Sequence, residues 1–131
     1  MIVADASALV EILVREPADE LILRVNAEDL HCPHLVDVEV MHALRSLDAR
    51  GEITTGDVRR AMSDLERLPI ERHGHAGLRG RMWELRKNVS AYDAAYVALA
   101  EALDAPVVTV DSRLARSRGH LATIEAYDRS D

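Results

Sequence analysis

Two short apolar runs constrain this chain more than anything else in it. Met1 to Ala4 and Pro106 to Val110 each stop at an aspartate, Asp5 and Asp111, and helical sequence follows each of them. Strands that alternate with helices build a mainly parallel sheet covered on both faces, because right-handed crossovers lay the helices there. In such sheets ligands gather beyond the carboxyl ends of the strands, near the point where strand order reverses. Both aspartates stand at ends of this kind. The expected fold class is α/β.

The rest of the chain supplies the alternation. Ser7 to Val14 reads as a helix stopped by Pro17, and Ala18 to Ala27 as a second one carrying Leu21, Ile22 and Val25. Leu30 to Cys32 is a short strand, and Pro33 opens the next helix. That helix, His34 to Arg50, sets Leu35, Val38, Met41 and Leu44 along one stripe and ends at Gly51. Thr54 to Leu68 starts with Thr54 and Asp57 at capping-box spacing, turns Ala61, Met62, Leu65 and Leu68 inward, and ends at Pro69. His75 to Asn88 is a weaker, basic helix interrupted by Gly77 and Gly80, and Ser90 to Leu103 a strong, Ala-rich one. A short basic helix follows Asp111, and Leu121 to Ala126 returns as a last strand. With no repeat or linker, one domain over residues 1–131 is expected.

Composition narrows the function. With 48% apolar residues and no Phe, the core must be built from Leu, Val, Ile and Ala. A net charge of −7 argues against a protein that coats nucleic acid nonspecifically, but it permits a nuclease with an acidic pocket and a local basic rim. The lone cysteine, Cys32, cannot close an internal disulfide and fits a reducing cytoplasm. No signal peptide and no membrane span are expected.

Four acids stand out: Asp5, Glu39, Asp93 and Asp111. Three have a structural explanation, since Asp5 and Asp111 are placed to cap helices and Asp93 completes a capping-box spacing with Ser90. Glu39 has none. It lies in mid-helix close to the apolar stripe, where a carboxylate needs a partner, and Asp37 points about 200° away from it. Four converging carboxylates repel one another, and a hard divalent cation resolves that conflict. All-oxygen ligands select Mg²⁺ or Mn²⁺, which activate water for attack on phosphorus.

These residues stand in IVADASALVEIL, LVDVEVMHALR, SAYDAAYVALAEAL and VVTVDSRLA, which resemble the four acidic motifs of PIN domains, in order and over nearly the whole chain. The compact length and the Tyr-Asp-Ala-Ala-Tyr wording are most similar to VapC-type ribonuclease toxins of type II toxin–antitoxin systems. The resemblance implies a PIN-like α/β/α sandwich and Mg²⁺- or Mn²⁺-dependent cleavage of RNA. It also implies metal ligation by Asp5, Asp93 and Asp111, a catalytic role for Glu39, a cognate antitoxin protein and a homodimer. Ser7 matches a small polar residue beside the metal. His42 departs from the family pattern, standing where Asn is common.

Arg113, Arg116 and Arg118 after Asp111, and Arg79, Arg81, Arg86 and Lys87 before Asp93, are candidates for a phosphate-binding rim, with Arg113 and Arg116, and also Ser7 two residues after Asp5, as substrate contacts. His31-Cys32-Pro33-His34 and His73-Gly74-His75 lack the paired spacing of a structural zinc site. Cys32 reads as a buried thiol rather than a nucleophile. Rival readings are a phosphoacceptor domain, opposed by the helical setting of the only lysine, Lys87, a non-catalytic PIN-like interaction domain, and a metal-dependent phosphatase.

Overall fold

The computed structural model describes residues 1–130. Five strands, β1 (Ile2–Ala4), β2 (Leu30–Pro33), β3 (Ile70–His73), β4 (Val107–Thr109) and β5 (Ile124–Ala126), form one sheet in the order β3-β2-β1-β4-β5. Every neighbouring pair is parallel, so the expected α/β class and parallel sheet are found. From β1 the strands are added outward through β2 to β3, and then on the other side through β4 to β5. Strand order therefore reverses between β1 and β4, and Asp5 and Asp111 follow those two strands.

The helices are α1 (Ala6–Val14), α2 (Asp19–Asn26), α3 (Leu35–Ala49), α4 (Thr55–Arg67), α5 (Arg79–Glu84), α6 (Ala91–Leu103) and α7 (Ser112–Ala115). Among the described residues, none is long and apolar enough to cross a membrane. The Thr54–Asp57 capping box that opens α4 forms in both directions. Helix α6 is buried at seven consecutive residues, Ala94 to Ala100, as a helix apolar all round must be. It packs on β1, β2, β4 and α5, and its small side chains let it approach the sheet. Tyr96 is the largest fully buried side chain. Asp93 sits one residue ahead of this buried stretch.

Several readings of the sequence need correction: Met62, expected inward on α4, is exposed, and Pro33 ends β2 instead of opening α3. Strand β3 was not expected, because Ile70-Glu71-Arg72-His73 offers a single apolar residue, and an edge strand needs no more. In α3 the buried residues are Val36, Val40, Leu44 and Leu47, while Val38 and Met41 are 60% and 46% exposed. Steps of three residues turn the helix by about 300°, so a stripe from Leu35 through Val38 and Met41 drifts round to the far side. Steps of four, four and three stay on one face. The segment His75 to Asn88 is broken into a 3-10 turn at Ala76–Leu78 and the short α5, in keeping with its two glycines.

Gly119, in the turn after α7, has φ +83°, and a Cβ there would stand 2.2 Å from Asn88 Nδ2. Both the left-handed backbone and the Asn88 contact oppose a side chain. Gly119→Ala is expected to cost about 1–2 kcal/mol, read as a Tm lowered by roughly 3–8 °C in thermal denaturation. An unchanged Tm would mean that the turn and Asn88 adjust without strain.

Candidate active site

The reversal point between β1 and β4 gathers the acids. Asp5 leaves β1 buried, caps α1 through Ala8 N–H at 3.0 Å, and accepts hydrogen bonds from Ser7 Oγ at 2.7 Å and from Thr109 Oγ1. Ser7 Oγ also accepts from Val110 N–H at 3.2 Å, and Thr109 Oγ1 from Asp111 N–H at 2.9 Å. One short network thus ties the ends of β1 and β4 to a single carboxylate. Burial pushes Asp5 up from its ordinary value of 3.8 to about 6, with the Asp93 charge adding and the three hydrogen bonds opposing.

Asp93 lies in the first turn of α6. Its N–H is capped by Ser90 Oγ at 3.1 Å, but the returning bond that closes the Thr54–Asp57 box is not made. Its carboxylate is therefore not bound by the Ser90 backbone N–H. Burial and then the Asp111 charge push it above the ordinary carboxylate range, against the pull of Arg113 and Ser90. Asp111 leaves β4, caps α7 through Arg113 N–H at 2.9 Å and meets the Arg113 guanidinium at 3.4 Å. Burial alone would raise it, but Arg113 and the Leu114 N–H outweigh burial and hold it low.

Glu39 is half-buried on α3. Burial pushes it up, the Tyr96 hydroxyl pulls it down, and the Asp93 charge pushes it up again. Tyr96 approaches Glu39 without reaching hydrogen-bond geometry, so Glu39 Oε1 and the Tyr96 hydroxyl are both buried with no partner. Asp37 turns away, paired with Arg72 through bonds of 2.6 and 2.8 Å, as the helical angle required. Asp93 thus raises Asp5 and Glu39 and is itself raised by Asp111, so the four acids identified in the sequence are linked pairwise through Asp93.

The surface above the cluster is divided. A groove of about 550 Å³ holds Asp93 with Lys87, Arg113, Arg116 and Arg118. Ser7 and Glu39 share a smaller depression, of about 260 Å³, with Arg129, which also borders Asp111 and Arg113 in a third. Other members of the expected rim make contacts of their own. Arg81 pairs with Glu101 at 2.6 Å, eight residues along α6 from Asp93 or about 12 Å at the helical rise, and Arg86 stacks over Trp83. Cys32 is buried, its thiol pushed up to about 12 by burial, which suits a packing residue.

Three residues were missed. Thr109 is the one polar position in its strand, two residues before Asp111 as Ser7 is two after Asp5, and that was its signal. Tyr96 follows Asp93 by three, on the same face of the helix. Arg129 had no signal in the sequence.

Asp5 and Asp111 thus leave the two strands where order reverses, the place where parallel sheets of this kind bind ligands, and a basic groove lies beside Asp93. The PIN domain family model matches residues 2–119. The chain belongs to the PIN domain family and stands within it among the VapC proteins. It is 50% identical to Ribonuclease VapC9 of Mycobacterium tuberculosis over 87% of this chain and 88% of that protein. Ribonuclease VapC12 of the same organism is 40% identical, over 95% of this chain and 98% of the relative. The crystal structure of PAE2754 from Pyrobaculum aerophilum shares the fold, with a TM-score of 0.68 and 24% identity over 94% of this chain and 82% of the other.

Proposed function

We propose that this protein is a divalent-metal-dependent endoribonuclease, the toxin of a type II toxin–antitoxin pair. The observation that carries this reading is that Asp5 and Asp111 follow the two strands between which order reverses, with Asp93 near enough for its charge to raise Asp5 and Glu39 and for Asp111 to raise it in turn. The ribonuclease names of its VapC relatives support it. So does the fit to a cation: the donors are all oxygen, and Glu39 Oε1 is buried without a partner. Asp5, Asp93 and Asp111 would hold Mg²⁺, with Mn²⁺ able to replace it.

Bound there, the cation would polarise the phosphodiester and make water acidic enough to attack at neutral pH. Glu39, its proton affinity raised by burial, takes the proton from the attacking water. The water oxygen bonds to phosphorus as one P–O bond to ribose breaks, and the leaving oxygen is protonated from solvent. Ser7 and Thr109 hold Asp5 in place. Ser7 also lines the Glu39 depression, where it would touch the RNA backbone. Arg113 and Arg116 contact flanking phosphates from the groove beside Asp93. An antitoxin partner, a homodimer and a cytoplasmic location belong to the same reading, through the family resemblance.

The test is digestion of total cellular RNA by purified, antitoxin-free protein in Mg²⁺, Mn²⁺ or EDTA. Discrete cuts in either metal, absent in EDTA, are expected. No cuts under any metal would favour a non-catalytic interaction domain, and turnover of a generic phosphomonoester without RNA cleavage a phosphatase. For the rim, the Arg113→Glu, Arg116→Glu double variant should lower kcat/KM on RNA by on the order of 10–100-fold at moderate salt and flatten its salt dependence. Unchanged cleavage with unchanged salt dependence would remove these arginines from the substrate path.

A further inference from the structure

His31 is an unexpected residue for the middle of β2, where all four residues are buried. Its side chain is only 6% exposed, and the acid cluster makes no use of it. Parallel pairing sets His31 beside Glu71 and Pro33 beside His73 on the neighbouring edge strand. Alternation along a strand then turns His31, Glu71 and His73 to one face of the sheet, opposite to Arg72, which reaches α3. His31 Nδ1 stands 2.8 Å from His73 Nε2 and 3.6 Å from Glu71 Oε2, and one ligand atom from each residue lies within 4.8 Å of the others.

From this geometry we infer a second cation site, formed by His31, Glu71 and His73, that takes Zn²⁺ or a similar borderline divalent ion. Zinc bonds of about 2.0–2.1 Å in a tetrahedron place ligand atoms about 3.3 Å apart. The two imidazole nitrogens need to open by about half an ångström, and the carboxylate needs to close slightly on His31 and by up to about 1.5 Å on His73. Glu71 is 69% exposed, so its side chain adjusts at little cost, while His31 is held by its surroundings. Whichever ring now carries the shared proton moves it to its other nitrogen when the ion binds, so both histidines ligate as neutral imidazoles.

The donor set separates this site from the acid cluster. Two imidazoles and one carboxylate suit Zn²⁺, Co²⁺, Ni²⁺ or Cu²⁺, whereas Mg²⁺ prefers oxygen. Three protein ligands leave a fourth position, and the exposure of Glu71 opens it to water. The site lies on the β2–β3 side of the sheet, away from the reversal point between β1 and β4. Its consequence is mechanical: the ion clamps a four-residue edge strand to the strand that carries His31. The sequence hides this arrangement because its ligands meet across strands, and spacing along the chain does not report that.

The experiment is titration of the full-length, metal-stripped protein with Zn²⁺ by calorimetry and with Co²⁺ by visible absorption. With the acid cluster disabled by Asp93→Asn, we expect one equivalent of each to bind, tetrahedral-type Co²⁺ bands, and a Zn²⁺-dependent rise in Tm of roughly 5 °C or more at a hundredfold excess over Kd; the wild-type protein should keep this site whatever the acid cluster binds besides. His73→Gln should abolish binding, and Glu71→Gln, at an exposed position that does not threaten folding, should weaken it at least about tenfold. Asp93→Asn should leave it intact. Failure of the wild-type protein to bind Zn²⁺, binding unchanged in both the Glu71 and His73 variants, or binding lost in Asp93→Asn would overturn the proposal.

Discussion

Asp93→Asn will abolish metal-dependent RNA cleavage, by on the order of 10³-fold or more, while leaving a protein at least as stable as the wild type. Both halves follow from where Asp93 sits. It is the one acid coupled to all three others, and its carboxylate is not bound by the Ser90 backbone N–H. Removing its charge withdraws a metal ligand, and loss of about 4 kcal/mol of transition-state stabilisation corresponds to three powers of ten in rate. In the metal-free protein that charge is a liability, since it raises Asp5 and Glu39 and is itself penalised by burial. The Ser90 cap uses the Asp93 N–H, which asparagine keeps. Single-turnover cleavage and thermal denaturation in EDTA check the two halves. A variant that unfolds several degrees earlier and still cuts RNA would mean that Asp93 serves folding.

The metal-free protein will also lose stability as pH rises from about 4 to about 7. Asp5 is raised by burial to about 6, and Glu39 and Asp93 are raised by burial and by the Asp93 and Asp111 charges. An acid whose folded value lies above its unfolded one favours the folded state while protonated. That contribution is complete below the unfolded values near 4 and is lost as pH climbs through the folded ones. For Asp5 alone the difference is on the order of 3 kcal/mol. The acids held low, Glu28, Asp57, Glu101 and Asp111, act in the opposite sense, below this window. In EDTA the Tm should fall by roughly 5–10 °C between pH 5 and pH 7.5. Mg²⁺ should recover most of that loss at pH 7.5 and change little at pH 5, where protons compete for the same oxygens. A Tm that rises over this interval, or a Mg²⁺ effect equal at both pH values, would contradict the clustering.

The parallel sheet and its reversal point were legible because Ile2–Ala4 and Val107–Thr109 are buried on both faces and end at acids, which leaves an unambiguous apolar signal. Glu39 was legible as a mid-helix carboxylate with nothing to cap. The resemblance to PIN domains joined it to the other three, and the electrostatic coupling through Asp93 agrees with that grouping. Strand β3 was hidden because an edge strand buries little, and its residues look like a polar linker. The buried face of α3 was misassigned because a three-residue step imitates amphipathicity over one turn and drifts over three. Contacts made only by the tertiary fold, such as Thr109 with Asp5, Tyr96 near Glu39, and His31 beside Glu71 and His73, left little or no trace in linear spacing.

Whether Asp5, Asp93 and Asp111 hold one divalent cation beside Glu39 is tested most directly by anomalous scattering from crystals of the wild-type protein grown with Mn²⁺. The predicted result is a manganese peak within ligand distance of Asp5 and Asp93, absent from Asp93→Asn crystals grown alongside. Well-ordered crystals with no peak between these carboxylates, or with manganese only at His31, Glu71 and His73, would contradict such a site.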